Sequence, residues 1–159
     1  MTRQSLILVA TIGSALLLGG AFAFQFLGGL APCPLCLLQR WPHAAAVLIG
    51  LLALALTRSS EGLQRLLALL GAIAALTTAG LGLYHTGVER AWWQGPDTCT
   101  SGAIDRVSAD QLLDQILAAP IVRCDEVAWQ LMGLSMASWN MLASLVLAGI
   151  WIAAARKAA

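Results

Sequence analysis

The stretch APCPLCLLQR holds the residues of this chain that are best suited to redox chemistry. Cys33 and Cys36 form a C-x-x-C motif, and Pro34 suits the first turn of a helix because its missing N–H would be unpaired there. The free N–H groups and positive dipole end of a helix N-terminus favour a thiolate over a thiol. Arg40 follows Cys36 by four residues, so on a helix the guanidinium shares a face with that sulfur. The spacing predicts a reactive dithiol supported by a cation.

A second pair, Cys99 and Cys124, suits a different use. A bridge between them would close a loop of about 25 residues and stabilise the fold by about 3 kcal/mol on a chain-entropy estimate. A bridge between Cys33 and Cys36 would close so small a loop that it restricts the unfolded chain little, and its tight geometry would make it reducible. Two structural disulfides are one interpretation, but only the second pair fits it well.

Metal and haem sites are other uses of such residues. A structural zinc site repeats the C-x-x-C knuckle, and Cys99 and Cys124 do not form one. Haem attachment needs C-x-x-C-H, and Leu37 occupies the histidine position. His43 and His85 invite a two-histidine cofactor, although a histidine near a membrane boundary more often makes an ordinary hydrogen bond. We expect no metal.

The elements that must position the cysteines lie in a membrane. Of the 159 residues, 59% are hydrophobic and 11% are charged, against roughly 25% charged in a soluble domain. Four uncharged runs can each supply a spanning helix, and we place the spans at about residues 5–27, 42–57, 66–84 and 131–154. The second span is the shortest and can begin in the C-x-x-C segment. The prediction is an all-α membrane four-helix bundle that forms one domain over residues 1–159.

The basic residues indicate the orientation of the bundle. The N-terminus, the second connection and the C-terminal tail carry Arg3, Arg58, Arg65, Arg156 and Lys157. The positive-inside rule places these segments in the cytoplasm, together with both termini. The loops at residues 28–41 and 85–130, which hold all four cysteines, then lie outside. Arg40 at this boundary has the alternative role of a side chain that only snorkels to the interface.

Two further segments have alternative interpretations. The N-terminal apolar run has an A-x-A-like site at residues 21–23 and resembles a signal peptide, but the run continues through Leu27 and can span uncut. In the long loop, Ser108 and Gln111 fit a capping box before a leucine-rich stretch, which predicts a short helix lying on the bilayer or on the bundle. An aromatic belt at the external boundary accounts for Trp41, Trp92, Trp93 and Trp129.

A dithiol that turns over needs an electron source and an electron acceptor. The chain carries no dinucleotide fingerprint and no iron–sulfur spacing. The position of the C-x-x-C motif at the lipid boundary indicates a quinone as the acceptor. Two cysteine pairs in two loops suggest a relay between that quinone and a soluble thiol protein. We expect no nucleic-acid partner.

The motifs CPLCLLQR, YHTGVERAWWQGPDTC and RCDEVAWQLMGLSMASWN resemble the disulfide bond formation protein B (DsbB) family of bacterial thiol:quinone oxidoreductases. The resemblance covers essentially the whole chain. It implies a four-helix bundle in the bacterial inner membrane that reoxidises a periplasmic DsbA-like thioredoxin-fold protein. It also implies electron transfer to ubiquinone or menaquinone of the membrane quinone pool.

The resemblance also implies a role for each cysteine. Cys99 is the residue that the thiolate of the partner attacks, and Cys124 is its disulfide mate. Cys124 passes electrons to the first pair through a transient link to Cys33. Cys36 is the thiolate that engages the quinone.

Two other positions carry over by motif. Arg40 supports the Cys36 thiolate, and His85 lies near the quinone. The interior of the C-x-x-C motif varies in the family, so Pro34 and Leu35 affect the potential of the pair.

Two alternatives remain beside the thiol oxidase. A quinone reductase of the vitamin K epoxide reductase type also places C-x-x-C by a membrane quinone, but late in the chain rather than after the first span. A non-catalytic bundle with structural disulfides predicts that both bridges resist mild reductant and that Arg40 is dispensable.

Overall fold

A computed structural model of the chain describes residues 1–57, 60–96, 99 and 122–157. Within these ranges, four long helices and one short hairpin follow in the order α1 (Arg3–Phe26), α2 (Pro34–Ala55), α3 (Glu61–Glu89), β1 (Gln130–Leu131), β2 (Leu134–Ser135) and α4 (Met136–Arg156). Each helix is long and apolar enough to cross a bilayer. The chain is a multi-pass membrane protein, and the predicted membrane four-helix bundle is confirmed.

Helix α2 begins at Pro34, before residue 42 and inside the C-x-x-C segment, where the second span was predicted to be able to begin. Cys33 is the N-cap, and its sulfur accepts a hydrogen bond from the backbone N–H of Cys36 at 3.1 Å. Pro34 takes the first helical position, and Pro42 lies inside the helix without ending it. Hydropathy marks the lipid-buried part of a helix, whereas the capping group marks its start. The C-x-x-C motif therefore forms the first turn of a spanning helix.

The ends of the long second loop also differ from the prediction. Helix α3 continues to Glu89, so residues 85–89 are helical. Residues 130–135, partly assigned to the fourth span, form a hairpin because Met132 and Gly133 adopt left-handed φ values of 54° and 76°. Ser135 then caps α4 by accepting from the backbone N–H of Ser138. The predicted helix around Ser108 lies outside the described residues.

Small residues let the helices approach closely. Trp151 of α4 is fully buried and lies against Gly71 of α3, where a Cβ would stand 2.6 Å from the indole ring. The surrounding core is mostly alanine and aliphatic side chains: Ile7, Ala10, Ala53, Leu67, Ala68, Ala72, Ala75, Leu147, Ala148, Ala154 and Ala155. Close packing of this kind is a main source of helix association in a bilayer, where lipid removes the hydrophobic driving force.

A buried arginine ties the helices together at the end of the bundle that carries both termini. Arg3 donates to the Ala154 carbonyl at 3.3 Å and to Glu61 Oε1 at 3.2 Å, and it also contacts the Lys157 carbonyl. These bonds join α1, α3 and the C-terminal turn of α4. The N-terminus of α2 and the C-terminus of α3 meet at the opposite end, where the cysteines lie.

Candidate functional site

The two cysteine pairs lie in one buried cluster. Cys99 and Cys124 form a disulfide with a Cα–Cα distance of 5.2 Å, and Cys33 and Cys36 are free thiols. Cys33, Cys99 and Cys124 pack together with Val88, and Cys36 packs against this group. The fold thus brings the loop pair onto the first turn of α2, although the two motifs are far apart in the sequence.

Cys33 has the more enclosed sulfur of the C-x-x-C pair. It accepts from the Cys36 backbone N–H and lies 3.6 Å from Nε2 of His85. A hydrogen bond with the Cys36 side chain and then burial raise the pKa of the Cys33 thiol above its ordinary value.

Arg40 lies one turn beyond Cys36 and is held by α1. Its Nη1 donates to Gln25 Oε1 at 2.5 Å and its Nη2 to the Ala21 carbonyl at 3.4 Å. The guanidinium also stands 4.9 Å from the ring centre of Phe22. These contacts hold the positive charge beside the cavity described next.

A cavity of about 270 Å³ opens beside the thiols, between α1, α2, α4 and the C-terminal part of α3. Its walls are mostly apolar, and its polar lining includes Cys36, Gln39, Arg40, His43, His85, Glu89 and Asn140. Within the described part of the chain, two buried polar atoms here have no hydrogen-bond partner: Arg40 Nε and His43 Nδ1. An apolar cavity with a few convergent polar groups is the usual form of a small-molecule site. The unpaired Nε–H of Arg40 beside a thiol fits a ring that carries an oxygen acceptor, such as a quinone.

A polar network inside the bundle connects both histidines. Gln39 Nε2 lies 3.0 Å from His85 Nδ1, and Asn140 Nδ2 donates to Gln39 Oε1 at 2.7 Å. Asn140 Oδ1 lies 2.8 Å from His43 Nε2, and Asn140 Nδ2 also donates to Thr78 Oγ1 at 3.2 Å. The network spans α2, α3 and α4 beneath the cysteines.

A carboxylate completes the surroundings of His85. Glu89 Oε1 lies 3.9 Å from His85 Nε2, and the Glu89 side chain is 6% exposed. Ser135, the cap of α4, donates to the other carboxylate oxygen. Nε2 of His85 thus faces both a sulfur and a carboxylate.

Comparison with known proteins identifies the family. The family model described as "Disulfide bond formation protein DsbB" matches residues 3–154. The chain belongs to the DsbB family. Disulfide bond formation protein B of Methylococcus capsulatus is 33% identical over 146 residues, which cover 91% of this chain and 88% of that protein. The protein of the same name from Hahella chejuensis is 28% identical over 156 residues, covering 95% and 92%. The function of the chain therefore lies in disulfide bond formation.

The motifs of this DsbB-family chain did not predict four polar residues that line the cavity: Gln39, His43, Glu89 and Asn140. A general signal was present, because polar side chains inside spanning helices are costly and usually mark function. Gln39 and Asn140 are such residues, since Gln39 lies beside Arg40 near the start of α2 and Asn140 lies within the fourth apolar run. Their partners lie on other helices, however, and the sequence does not show those pairings.

Cys33, Cys36 and His85 also resemble a metal-ligand set, since their ligand atoms lie within 4.8 Å of one another. A histidine that binds metal through one nitrogen usually donates the N–H of the other to an acceptor. Here Nδ1 of His85 faces the amide N–H of Gln39. A metal bound to Nε2 would leave the ring proton on Nδ1, so the Nδ1–H and the Gln39 N–H would point at each other. The arrangement suits thiol chemistry better than metal binding in this DsbB-family site.

Both cysteines of the loop disulfide are buried: Cys99 is 2% exposed and Cys124 is 0% exposed. Attack by a thiolate needs direct access to a sulfur. The role of Cys99 as the residue attacked by a partner stays a prediction.

Proposed function

We propose that this chain is a thiol:quinone oxidoreductase of the bacterial inner membrane, with cytoplasmic termini and periplasmic cysteines. It reoxidises a DsbA-like thioredoxin-fold protein and passes the electrons to ubiquinone or menaquinone. One observation carries the proposal: both cysteine pairs share a buried cluster, and Cys36 of that cluster lines a cavity beside Arg40. A relay needs this contact between its two pairs.

The first exchange takes place at the loop pair. A thiolate of the partner attacks Cys99, which breaks the Cys99–Cys124 bond and releases Cys124 as a thiolate. The second thiolate of the partner attacks its own sulfur in the mixed disulfide, which releases the oxidised partner and Cys99 as a thiolate. Two electrons then reside on the loop pair.

The second exchange transfers these electrons to the C-x-x-C pair in its oxidised form. The Cys124 thiolate attacks Cys33, breaks the Cys33–Cys36 bond and releases Cys36 as a thiolate. Cys99 then attacks Cys124, which restores the loop disulfide and releases Cys33. Cys33 and Cys124 belong to the same buried cluster, which supports this route.

The cavity is where the electrons leave the chain. A bound quinone would accept the two electrons and two protons of the Cys33–Cys36 dithiol and become a hydroquinone, and the Cys33–Cys36 disulfide would form again. The Arg40 charge stabilises the Cys36 thiolate, and its unpaired Nε–H is free to donate to a ring oxygen. The apolar walls exclude water, which strengthens both interactions.

Quinone absorbance tests the proposal. Purified chain in detergent with a quinone would receive an excess of reduced DsbA-like protein, in parallel with the Cys36→Ser and Cys99→Ser variants. We expect catalytic quinone reduction by the wild type alone, with unchanged helical circular dichroism in both variants. Reduction that continues in Cys36→Ser would contradict the assigned route.

The same assay separates the proposal from a non-catalytic bundle with structural disulfides. A folded wild type that binds quinone but reduces none with any periplasmic dithiol would favour the structural interpretation. In that case Arg40→Met would also leave every measured property unchanged.

A further inference from the structure

Two side-chain amides beneath the cysteines have only one favourable orientation. Gln39 Nε2 lies 3.0 Å from the Leu35 carbonyl, which can only accept a hydrogen bond. The amide nitrogen must therefore face Leu35, since a flipped amide would place two acceptors together. The same nitrogen reaches His85 Nδ1, and the Gln39 oxygen points toward α4.

The second amide is fixed in the same way. Asn140 Nδ2 donates to Gln39 Oε1 and to Thr78 Oγ1. The hydroxyl of Thr78 gives its own proton to the Gln39 backbone carbonyl at 3.3 Å, so its oxygen is left to accept. Asn140 Oδ1 consequently faces His43.

The orientation of Gln39 determines which nitrogen of His85 carries the proton. Both hydrogens of the Gln39 amide are donated, one to Leu35 and one to His85 Nδ1. Nδ1 must then be bare, and the ring proton lies on Nε2. That N–H faces Cys33 Sγ at 3.6 Å and Glu89 Oε1 at 3.9 Å.

The orientation of Asn140 determines which ring nitrogen of His43 carries the proton. Asn140 Oδ1 accepts from Nε2 of His43 at 2.8 Å, so this nitrogen holds the ring proton. Nδ1 is then a bare acceptor, buried at the cavity and without a partner among the described residues.

We propose that Gln39 and Asn140 are positioning residues that set the tautomers of the two buried histidines. His85 presents an N–H to the Cys33 sulfur and stabilises negative charge there, and it does not remove the proton of Cys33. His43 presents a bare nitrogen to the cavity, where it accepts a hydrogen bond from a hydroxyl. The second role rests on the proposed function, because the hydroquinone product carries such hydroxyls and the quinone does not.

Ring-nitrogen NMR tests the tautomers without any turnover. The chain has two histidines, so ¹⁵N-histidine labelling gives two ring systems, and His43→Gln assigns them. In the wild type we expect the proton on Nε2 of both rings. In Gln39→Met, Nδ1 of His85 should move downfield, toward an imine nitrogen that accepts no hydrogen bond. Gln64→Met is the matched control, since Gln64 is a buried glutamine at the other end of the bundle.

The wild-type spectrum tests the proposed tautomers even if Gln39→Met does not fold. A wild-type spectrum with the proton on Nδ1 of either ring would overturn the proposal, as would unchanged His85 resonances in a folded Gln39→Met protein. Decylubiquinol should move Nδ1 of His43 upfield, and decylubiquinone should not. Equal effects of the two probes, or none, would overturn the role of His43, whereas failure of the proposed enzyme activity leaves the tautomer measurement intact.

Discussion

Nε2 of His85 lies 3.6 Å from the sulfur of Cys33, although 52 residues separate them in the sequence. The contact joins the C-terminal part of α3 to the N-cap of α2. The Cys36 backbone N–H points at the same sulfur. With the N–H of His85 as we infer it, two donors converge on this sulfur, although a hydrogen bond with the Cys36 side chain and burial raise the pKa of the Cys33 thiol. Cys33 can thus accept negative charge once Cys36 no longer carries it.

The raised pKa of Cys33 predicts slow alkylation of this thiol in the reduced protein. A thiol is protonated below its pKa, so the thiolate fraction of Cys33 at neutral pH should fall below that of an ordinary cysteine. The pH at which its labelling rate levels off should therefore lie above that of an ordinary thiol. Iodoacetamide labelling followed by mass spectrometry measures the profile, in a Cys99→Ser, Cys124→Ser background that leaves only this pair.

Cys36→Ser in the same background is the control for that profile. It removes the main cause of the raised pKa, the hydrogen bond with the Cys36 thiol. Cys33 should then react faster at each pH, and its profile should level off at lower pH. Labelling of Cys33 that matches a free cysteine before this substitution would contradict the prediction.

Arg40 should control quinone use through its charge and its unpaired Nε. Arg40→Met removes both, and we expect the KM for quinone to rise by roughly tenfold or more, because a hydrogen bond to a charged group is worth about 1.5–3 kcal/mol. Arg40→Lys keeps the charge but loses the planar group that bonds Gln25 and Ala21, so its effect should be intermediate. Steady-state quinone reduction at varied quinone concentration measures both.

Arg65→Met is the matched control, since Arg65 is an exposed arginine near the start of α3. It should leave the KM for quinone within error of the wild type. If Arg40→Met behaved like Arg65→Met, the cavity beside Cys36 would not be the quinone site.

The number and order of the helices could be predicted because a bilayer requires long uncharged segments. The helix ends could not, because they depend on local capping. The sulfur of Cys33 starts α2 before the apolar run begins, and the left-handed residues Met132 and Gly133 delay α4. Hydropathy carries no information on either feature.

The sequence predicts a site residue only where residue type and local spacing are enough to place it beside its partners. C-x-x-C and Arg40 share one helix face, so the sequence places them together. The pairing of Gln39 with Asn140 depends on how α2 and α4 rotate about their axes, and each residue alone resembles a tolerated polar residue. Glu89 was missed for the same reason, since its partners Ser135 and His85 lie on other elements or one turn away.

Gly71 should be one of the positions where the bundle tolerates no side chain. A Cβ there would stand 2.6 Å from the rigid ring of Trp151, which is fully buried, so Gly71→Ala should lower the free energy of unfolding by about 1–3 kcal/mol. Gly80→Ala lies on the same helix, and among the described residues nothing lies within 4 Å of its added methyl, so it should leave the stability unchanged or raise it by up to about 1 kcal/mol. Thermal unfolding in detergent compares them. Equal stability of the two variants would show that α3 and α4 are not packed through Gly71. Quinone reduction by folded Gly71→Ala should be unaffected, because the cysteines and the cavity lie at the opposite end of the bundle from Gly71.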